Sequence, residues 1–323
     1  MDWGSVKTTS FLWLEITGKC QLECVHCYAD SGPVGTHGAM TTEDWIRLIE
    51  EAAELGVQAV QFIGGEPTLH PDLPRLIEHA LGAGIEVEVF SNLVHVAPTL
   101  WKCFQRPGVR LACSYYSDRA DQHAAVTGRT GSHTRTRSNI LEAIRRSIPL
   151  RVGVVGLTDD QRTEQAMEEL RDLGVSSVSY DHIRQFGRGV RDQPSSTDQL
   201  CGHCADGVLA ISPTGEVWPC VFSRWLPVGN VRDTPLSDII AGTPINNVRR
   251  ELSSAFAVRP DACLPDMCDP QCGPNCSPAC LPQGTRDPCG PRGGCMPNYD
   301  VRPLSGEPTH RPLIQTTQLS SSG

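Results

Sequence analysis

Residues 20–30 read CQLECVHCYAD, which puts Cys20, Cys24 and Cys27 on one short stretch. They stand directly after FLWLEIT, residues 11–17, which reads as a buried strand. The segment TTEDWIRLIEEAAELG follows, with Trp45, Leu48, Ile49, Ala52 and Leu55 on one helical stripe and Thr41 and Asp44 spaced as a capping box. Three thiols between a first strand and a first helix set the reading of what comes next. Five further runs, VQAVQFIG, IEVEVFS, VRLACSYY, LRVGVVGL and VSSVSYDHI, read as strands. Segments 71–82, 96–105, 136–147 and 160–173 read as helices between them. Repeated strand, helix, strand units predict an α/β fold with a parallel sheet and right-handed crossovers. Six units suit a partial (β/α)6 barrel, short of the eight that close one. In such sheets chemistry gathers at the carboxyl ends of the strands, which is where the three cysteines lie.

The totals agree with a cytoplasmic enzyme. The chain has 323 residues, 39% apolar and 20% charged, enough for a large α/β domain plus a smaller one. No apolar run approaches the ~18 residues of a spanning helix, and the start lacks the pattern of a secretory signal. A net charge of −9 argues against a nucleic-acid partner, since phosphate binding asks for a basic stripe. Fifteen cysteines in a reducing compartment point to metal binding or catalysis in preference to disulfides. Cys103 and Cys113 stand apart from the clusters and read as packing residues.

Four thiolates would close a tetrahedral zinc site or fill every iron of a four-iron cluster. Three on one loop leave a position open. The C-x3-C-x2-C spacing, with the aromatic Tyr28 after the last cysteine, resembles the radical S-adenosylmethionine (SAM) superfamily. The resemblance implies that Cys20, Cys24 and Cys27 hold a [4Fe–4S] cluster whose fourth iron takes the amino and carboxylate groups of SAM. It further implies that reductive cleavage of SAM yields a 5′-deoxyadenosyl radical that abstracts a substrate hydrogen. GGEPTLHP, residues 64–71, follows the second strand, and its glycines allow close backbone approach. By the same resemblance Gly64, Gly65, Glu66 and Pro67 grip the methionine amino group. Ser91 and Asn92, at the end of the third strand, are expected as polar contacts to SAM. Ser114 holds the position of an inward serine on the fourth strand, so that Ala112 and Tyr116 face in with it while Cys113 and Tyr115 face the helices. The family's serine, leucine, aspartate triplet is here Ser114, Tyr115 and Tyr116. TGRTGS, residues 127–132, resembles the region that supplies an arginine to the SAM carboxylate, which points to Arg129. FGRG, residues 186–189, resembles the turn that borders the adenine. His26 lies between two ligands and is assigned no role.

The composition changes after about residue 195, giving expected domains of 1–195, a cysteine-rich and loop-dominated auxiliary-cluster domain over 196–300, and a disordered tail over 301–323. Ten of the fifteen cysteines fall between 201 and 295. Cys204, ten residues, Gly215, four residues and Cys220 resemble the opening of the SPASM extension, which carries auxiliary iron–sulfur clusters. Gly215 suits a hairpin turn that brings distant thiols together. Cys201, Cys204 and Cys220 are thus expected metal ligands, together with Cys263, Cys268, Cys272, Cys276, Cys280, Cys289 and Cys295. Each of these last seven has a proline two residues on. Proline excludes helix and inner strand there, so thiols must staple the segment. Their spacings depart from the SPASM pattern, and zinc is the rival for that repeat.

The expected function is modification of a ribosomally made peptide by hydrogen abstraction, with at least one auxiliary [4Fe–4S] cluster. The alternative keeps the radical chemistry and acts on a sugar or aminoglycoside-like molecule; a second alternative is a zinc scaffold without catalysis. Expected partners are the substrate and a reductant protein such as a ferredoxin or flavodoxin. Only about ten residues precede the first strand, so a peptide leader is expected to be gripped elsewhere on the chain or by a separate leader-binding protein.

Overall fold

A computed structural model describes residues 9–190 and 195–257. The calls on Cys263 to Cys295 and on the tail 301–323 lie outside the described residues. The expected repeat is present as β1 (Phe11–Thr17), α1 (Thr42–Glu54), β2 (Ala59–Gly64), α2 (Leu73–Gly82), β3 (Glu86–Phe90), α3 (Pro98–Phe104), β4 (Val109–Tyr115), α4 (Ala120–Thr127), α5 (Ser132–Arg145), β5 (Leu150–Gly156), α6 (Thr163–Asp172) and β6 (Ser177–His182). β7 (Val208–Ile211), β8 (Glu216–Trp218), β9 (Gly229–Asn230), α7 (Leu236–Ala241) and α8 (Thr243–Ala257) follow. The capping box forms: Thr41 Oγ1 accepts from the Asp44 N–H, and the Asp44 carboxylate accepts from the Thr41 N–H at 2.9 Å.

The nine strands make one sheet in the order β6-β5-β4-β3-β2-β1-β7-β8-β9. β1 to β6 are parallel in sequence order, and β7 continues the sheet by pairing parallel with β1, Phe11 opposite Val208. The change of composition near residue 195 is therefore not a break in the sheet. Up to residue 257 the stretch read as loop-dominated holds three strands and two helices. Its β7–β8 hairpin turns at Gly215, whose φ of +86° favours glycine.

Alternation along the strands divides the core. Leu12, Leu14, Val60, Phe62, Val87, Val89, Cys113 and Tyr115 pack under the helices with Trp45, Leu48 and Ile49. Phe11, Trp13, Ile63, Val208, Ala210 and Trp218 point to the opposite face. There the wall is partly charged. Glu88 is buried and accepts both Nε and Nη2 of Arg151 at 3.0 and 2.7 Å and Nε of Arg110 at 3.1 Å. Those cations hold its carboxyl down at about 2 although burial pushes the other way.

One helix was not expected. α4 buries His123, Val126 and Thr127, and the α5 start buries Ser132 and His133. Three of these polar groups bond one another, His123 Nδ1 and Ser132 Oγ lying 3.1 Å apart and Thr127 Oγ1 and Ser132 Oγ 2.7 Å, while His133 Nε2 pairs with Tyr115 Oη at 2.7 Å. A helix buried through hydrogen-bonded polar groups leaves no apolar stripe to read.

Candidate functional site

The loop after β1 is pinned by its own backbone. Cys20 N–H donates to Gly32 O at 3.0 Å and Cys27 N–H to Cys24 O at 3.2 Å. The three thiols then face one open cleft holding about 990 Å³ of empty space, whose wall also includes Tyr28, Gly64, Gly65, Asn92 and Ser114. Residues as far apart as Cys20 and Ser114 thus meet because each follows, or ends, a parallel strand. The parity expected of the fourth strand holds: Ser114 and Tyr116 line the cleft, while Cys113 and Tyr115 are buried in the helix layer.

The sulfurs are prepared as anionic ligands. Leu22 N–H donates to Cys20 Sγ and Ser31 N–H to Cys27 Sγ, each at 3.4 Å, and Asn92 Nδ2 lies 3.7 Å from Cys20 Sγ. Burial nevertheless pushes the Cys20 thiol up to about 12, with Glu66 adding to it, and pushes Cys24 higher still. Buried thiols that also repel one another ionise when a cation is bound among them. Three thiols on one cleft, two of them with a backbone N–H aimed at sulfur, fit an iron–sulfur cluster.

The glycines of GGEP line the cleft and admit a second close neighbour as well. A Cβ on Gly64, at φ +140°, would sit 2.2 Å from Thr17 O, and one on Gly65 2.4 Å from Lys19 O. The close neighbour is the β1 loop itself, which Gly65 N–H and Glu66 N–H bond at 2.7 and 2.9 Å. Glu66 is fully buried and does not line the cleft. Its carboxylate accepts from Thr68 N–H and Oγ1, Ser91 Oγ and Asn92 N–H. Ser91 is buried in this hub, Pro67 opens the short 3-10 turn beside it, and only Asn92 of the pair reaches the cleft. Arg129 lies outside the wall, exposed, with Nη1 donating to Gln21 O at 2.9 Å.

Several wall residues escaped the sequence reading: His182 at the end of the sixth strand and Arg184 after it, Arg188 in FGRG, and Phe222, two residues beyond Cys220. Phe222 stacks on Phe186 with centroids 5.2 Å apart, and its edge meets Tyr28 at 5.1 Å. Arg224 pairs with buried Glu15 of β1 and lies over the rings of Tyr28 and Trp218, at 5.3 and 4.6 Å. The signal available was a cysteine followed closely by aromatic and arginine residues. It has no period and so no strand or helix template.

The auxiliary cysteines converge as well. Cys204 Sγ lies 3.1 Å from Cys220 Sγ, and both are buried. Hydrogen bonding to Cys201 and to Cys220 keeps the Cys204 proton in place, well above the ordinary thiol value. The β7–β8 hairpin brings Cys220 back to Cys204, which bonds Cys201 three residues earlier. Among the described residues no group of three or more His, Cys, Asp or Glu closes up as a single-ion site.

Comparison with known proteins agrees with this geometry. Residues 14–173 match the Radical SAM superfamily, and residues 201–276 match SPASM, an iron–sulfur cluster-binding domain. A PqqA peptide cyclase of Streptomyces rochei is 28% identical over 274 residues, covering 70% of this chain and 74% of the relative. The antilisterial bacteriocin subtilosin biosynthesis protein AlbA of Bacillus subtilis is 23% identical over 291 residues, 79% of this chain and 64% of its own. Streptococcus suis SuiB bound to S-adenosylmethionine superposes with a TM-score of 0.64 at 14% identity, covering 75% of this chain and 67% of that one.

Proposed function

The chain belongs to the radical SAM superfamily and carries a SPASM iron–sulfur domain, and on that premise we propose that it is an enzyme that modifies a peptide by hydrogen abstraction. The observation that carries the reading is the convergence of Cys20, Cys24 and Cys27 with Gly65, Asn92 and Ser114 on one cleft, with a second thiol group held by the same sheet. Relatives named for peptide cyclisation and bacteriocin biosynthesis support a peptide as the substrate class.

Cys20, Cys24 and Cys27 would hold the [4Fe–4S] cluster, which supplies the electron that cleaves SAM to methionine and a hydrogen-abstracting radical. The protein's contribution is position and exclusion of water. Leu22 and Ser31 N–H groups orient two sulfurs; Asn92, held by Glu66, presents its amide to the Cys20 side. Ser114 and Tyr116 place hydroxyls on the β4 side of the cleft, and Phe222 with Tyr28 gives an apolar wall. Cys201, Cys204 and Cys220 are the described candidates for an auxiliary cluster. The reductant, proposed as a ferredoxin or flavodoxin, and a separate leader-binding protein complete the partners. Among the described residues no helix is long and apolar enough to cross a membrane.

The test is anaerobic incubation of the iron- and sulfide-reconstituted protein with SAM, a strong reductant and short peptides encoded beside its gene. Formation of 5′-deoxyadenosine together with a mass change on one peptide is expected, and neither from a Cys20, Cys24, Cys27 triple alanine variant. A protein that takes up only zinc refutes the radical reading; 5′-deoxyadenosine with sugars modified and peptides untouched refutes the peptide.

A further inference from the structure

We propose that the FGRG turn at 186–189 is a clasp on the cluster loop, and that Arg188 is a positioning residue that fixes this loop and makes its cluster easier to reduce. The inference rests on the radical SAM reading above, and concerns a residue that touches the loop's backbone.

The turn leaves β6 at one edge of the six-stranded array and reaches the loop that follows β1. Arg188 Nε donates to Cys24 O at 3.0 Å, Nη1 to Asp30 Oδ1 at 2.8 Å and Nη2 to Ser31 O at 2.6 Å, while its backbone N–H donates to Cys27 O at 3.0 Å. One side chain therefore ties the loop at three places across residues 24–31, the fork geometry that a guanidinium provides and an ammonium does not. The glycines on either side explain themselves. Gly187 sits at φ +53°, where a Cβ would lie 2.4 Å from Cys27 O and 2.5 Å from Tyr28 O; on Gly189 it would lie 2.7 Å from Arg184 O. Only bare backbone fits so close to the loop.

The charge matters in addition to the bonds. Arginine remains protonated at all working pH values. Asp30 is 74% exposed on its side chain against 30% for Arg188, so solvent screens the acid more than the base. The local field on the Cys24 side is thus net positive. Adding an electron makes a thiolate-bound cluster more negative, and net charge and hydrogen bonding are what set its potential. A cation held beside the ligand loop therefore favours the reduced form.

The experiment uses the full chain, reconstituted anaerobically, as parent, Arg188→Gln, Arg188→Lys and Asp30→Asn. Iron per chain is counted, and a potentiometric titration follows the part of the EPR signal that changes when SAM is added, which separates this cluster from any auxiliary one. Arg188→Gln is expected to disfavour reduction by about tenfold, about 59 mV for one electron. Arg188→Lys keeps the charge and stays near the parent, and Asp30→Asn, which removes a negative charge, moves the other way. A purely structural role would move Gln and Lys together and Asn in the same direction, and that result overturns the proposal. So does an iron-replete Arg188→Gln at the parent potential. Should Arg188→Gln hold no iron, the sign of the Asp30→Asn shift decides. A parent with iron but no SAM-sensitive signal rejects the radical SAM reading, and the clasp with it.

Discussion

Replacing Glu66 with glutamine changes one oxygen for an NH2 and leaves the shape intact, so its effect isolates the hub beneath the cleft. Oε1 accepts three bonds, from Thr68 N–H at 3.1 Å, Thr68 Oγ1 at 2.7 Å and Ser91 Oγ at 2.8 Å; Oε2 accepts one, from Asn92 N–H at 2.8 Å. The glutamine carbonyl takes the first place, where three donors converge against one at the second. Its NH2 then faces the Asn92 N–H, donor against donor. One lost bond and one unpartnered buried N–H cost about 1–3 kcal/mol, or roughly 2–4 °C in Tm for each kcal/mol. Burial raises the Glu66 carboxyl above its ordinary value, the four donors opposing. A raised native value means that the group's contribution is full below the unfolded value and is lost as pH rises through the native one. Glutamine has no such titration. The gap between parent and Glu66→Gln should therefore be wider at about pH 5 than at about pH 8. Urea unfolding at both values, followed by far-UV circular dichroism, reads the gap directly. SAM affinity should fall in parallel, because Asn92 loses its anchor. Equal midpoints at both values, or a gap that widens with pH, would refute the account of the hub.

Arg224→Ala leaves the Glu15 carboxyl, 3% exposed, without its cation. A loss of about 3 kcal/mol at neutral pH is expected, at the low end for a broken buried pair because Arg224 is itself 27% exposed. Burial already pushes Glu15 up, with Arg224 opposing, so the deficit should shrink in acid as Glu15 takes a proton; a deficit that grows there sinks the argument. Cys220→Ala should lower iron and sulfide per chain, since its sulfur lies 3.1 Å from Cys204 Sγ. Cys113→Ala should keep both and lose about 1–2 kcal/mol of packing; undiminished iron in the first, or lost iron in the second, reverses these assignments.

Most of the barrel half was legible because its signals are local. Strand runs, the Thr41 and Asp44 capping box and the thiol spacing each lie within a few residues. What stayed hidden depends on pairing between distant segments. Nothing in VLAI, residues 208–211, announces that it lies parallel to β1, because a buried strand carries no mark of its neighbour. The glycines of GGEP were legible as sites of close approach and FGRG only as a turn, yet in both a glycine lies against the loop that follows β1. Ser91 and Glu66 were expected as contacts to SAM, and only their burial shows that they hold Asn92 and do not line the cleft.

The shared sheet constrains what the second thiol group can do. β7 runs parallel to β1 with Phe11 opposite Val208, and β8 returns with Trp218 opposite Ala210. Cys204 precedes β7 and Cys220 follows β8, so both lie at the amino-terminal end of β1, where Ser10 N–H bonds Gly207 O. Cys20, Cys24 and Cys27 follow the opposite end. β1 has seven residues, and its six steps at about 3.3 Å make roughly 20 Å of strand. A small molecule seated against the first group does not span that length, whereas an extended peptide of about six residues does. What connects them is the inner face itself, where Trp218, Arg224 and Tyr28 follow one another in contact and Arg224 is anchored to β1 through Glu15. Hydrogen-bonded register fixes the ends of β1 at which the two groups stand, so the second group does not approach the cleft without breaking the β1–β7 ladder.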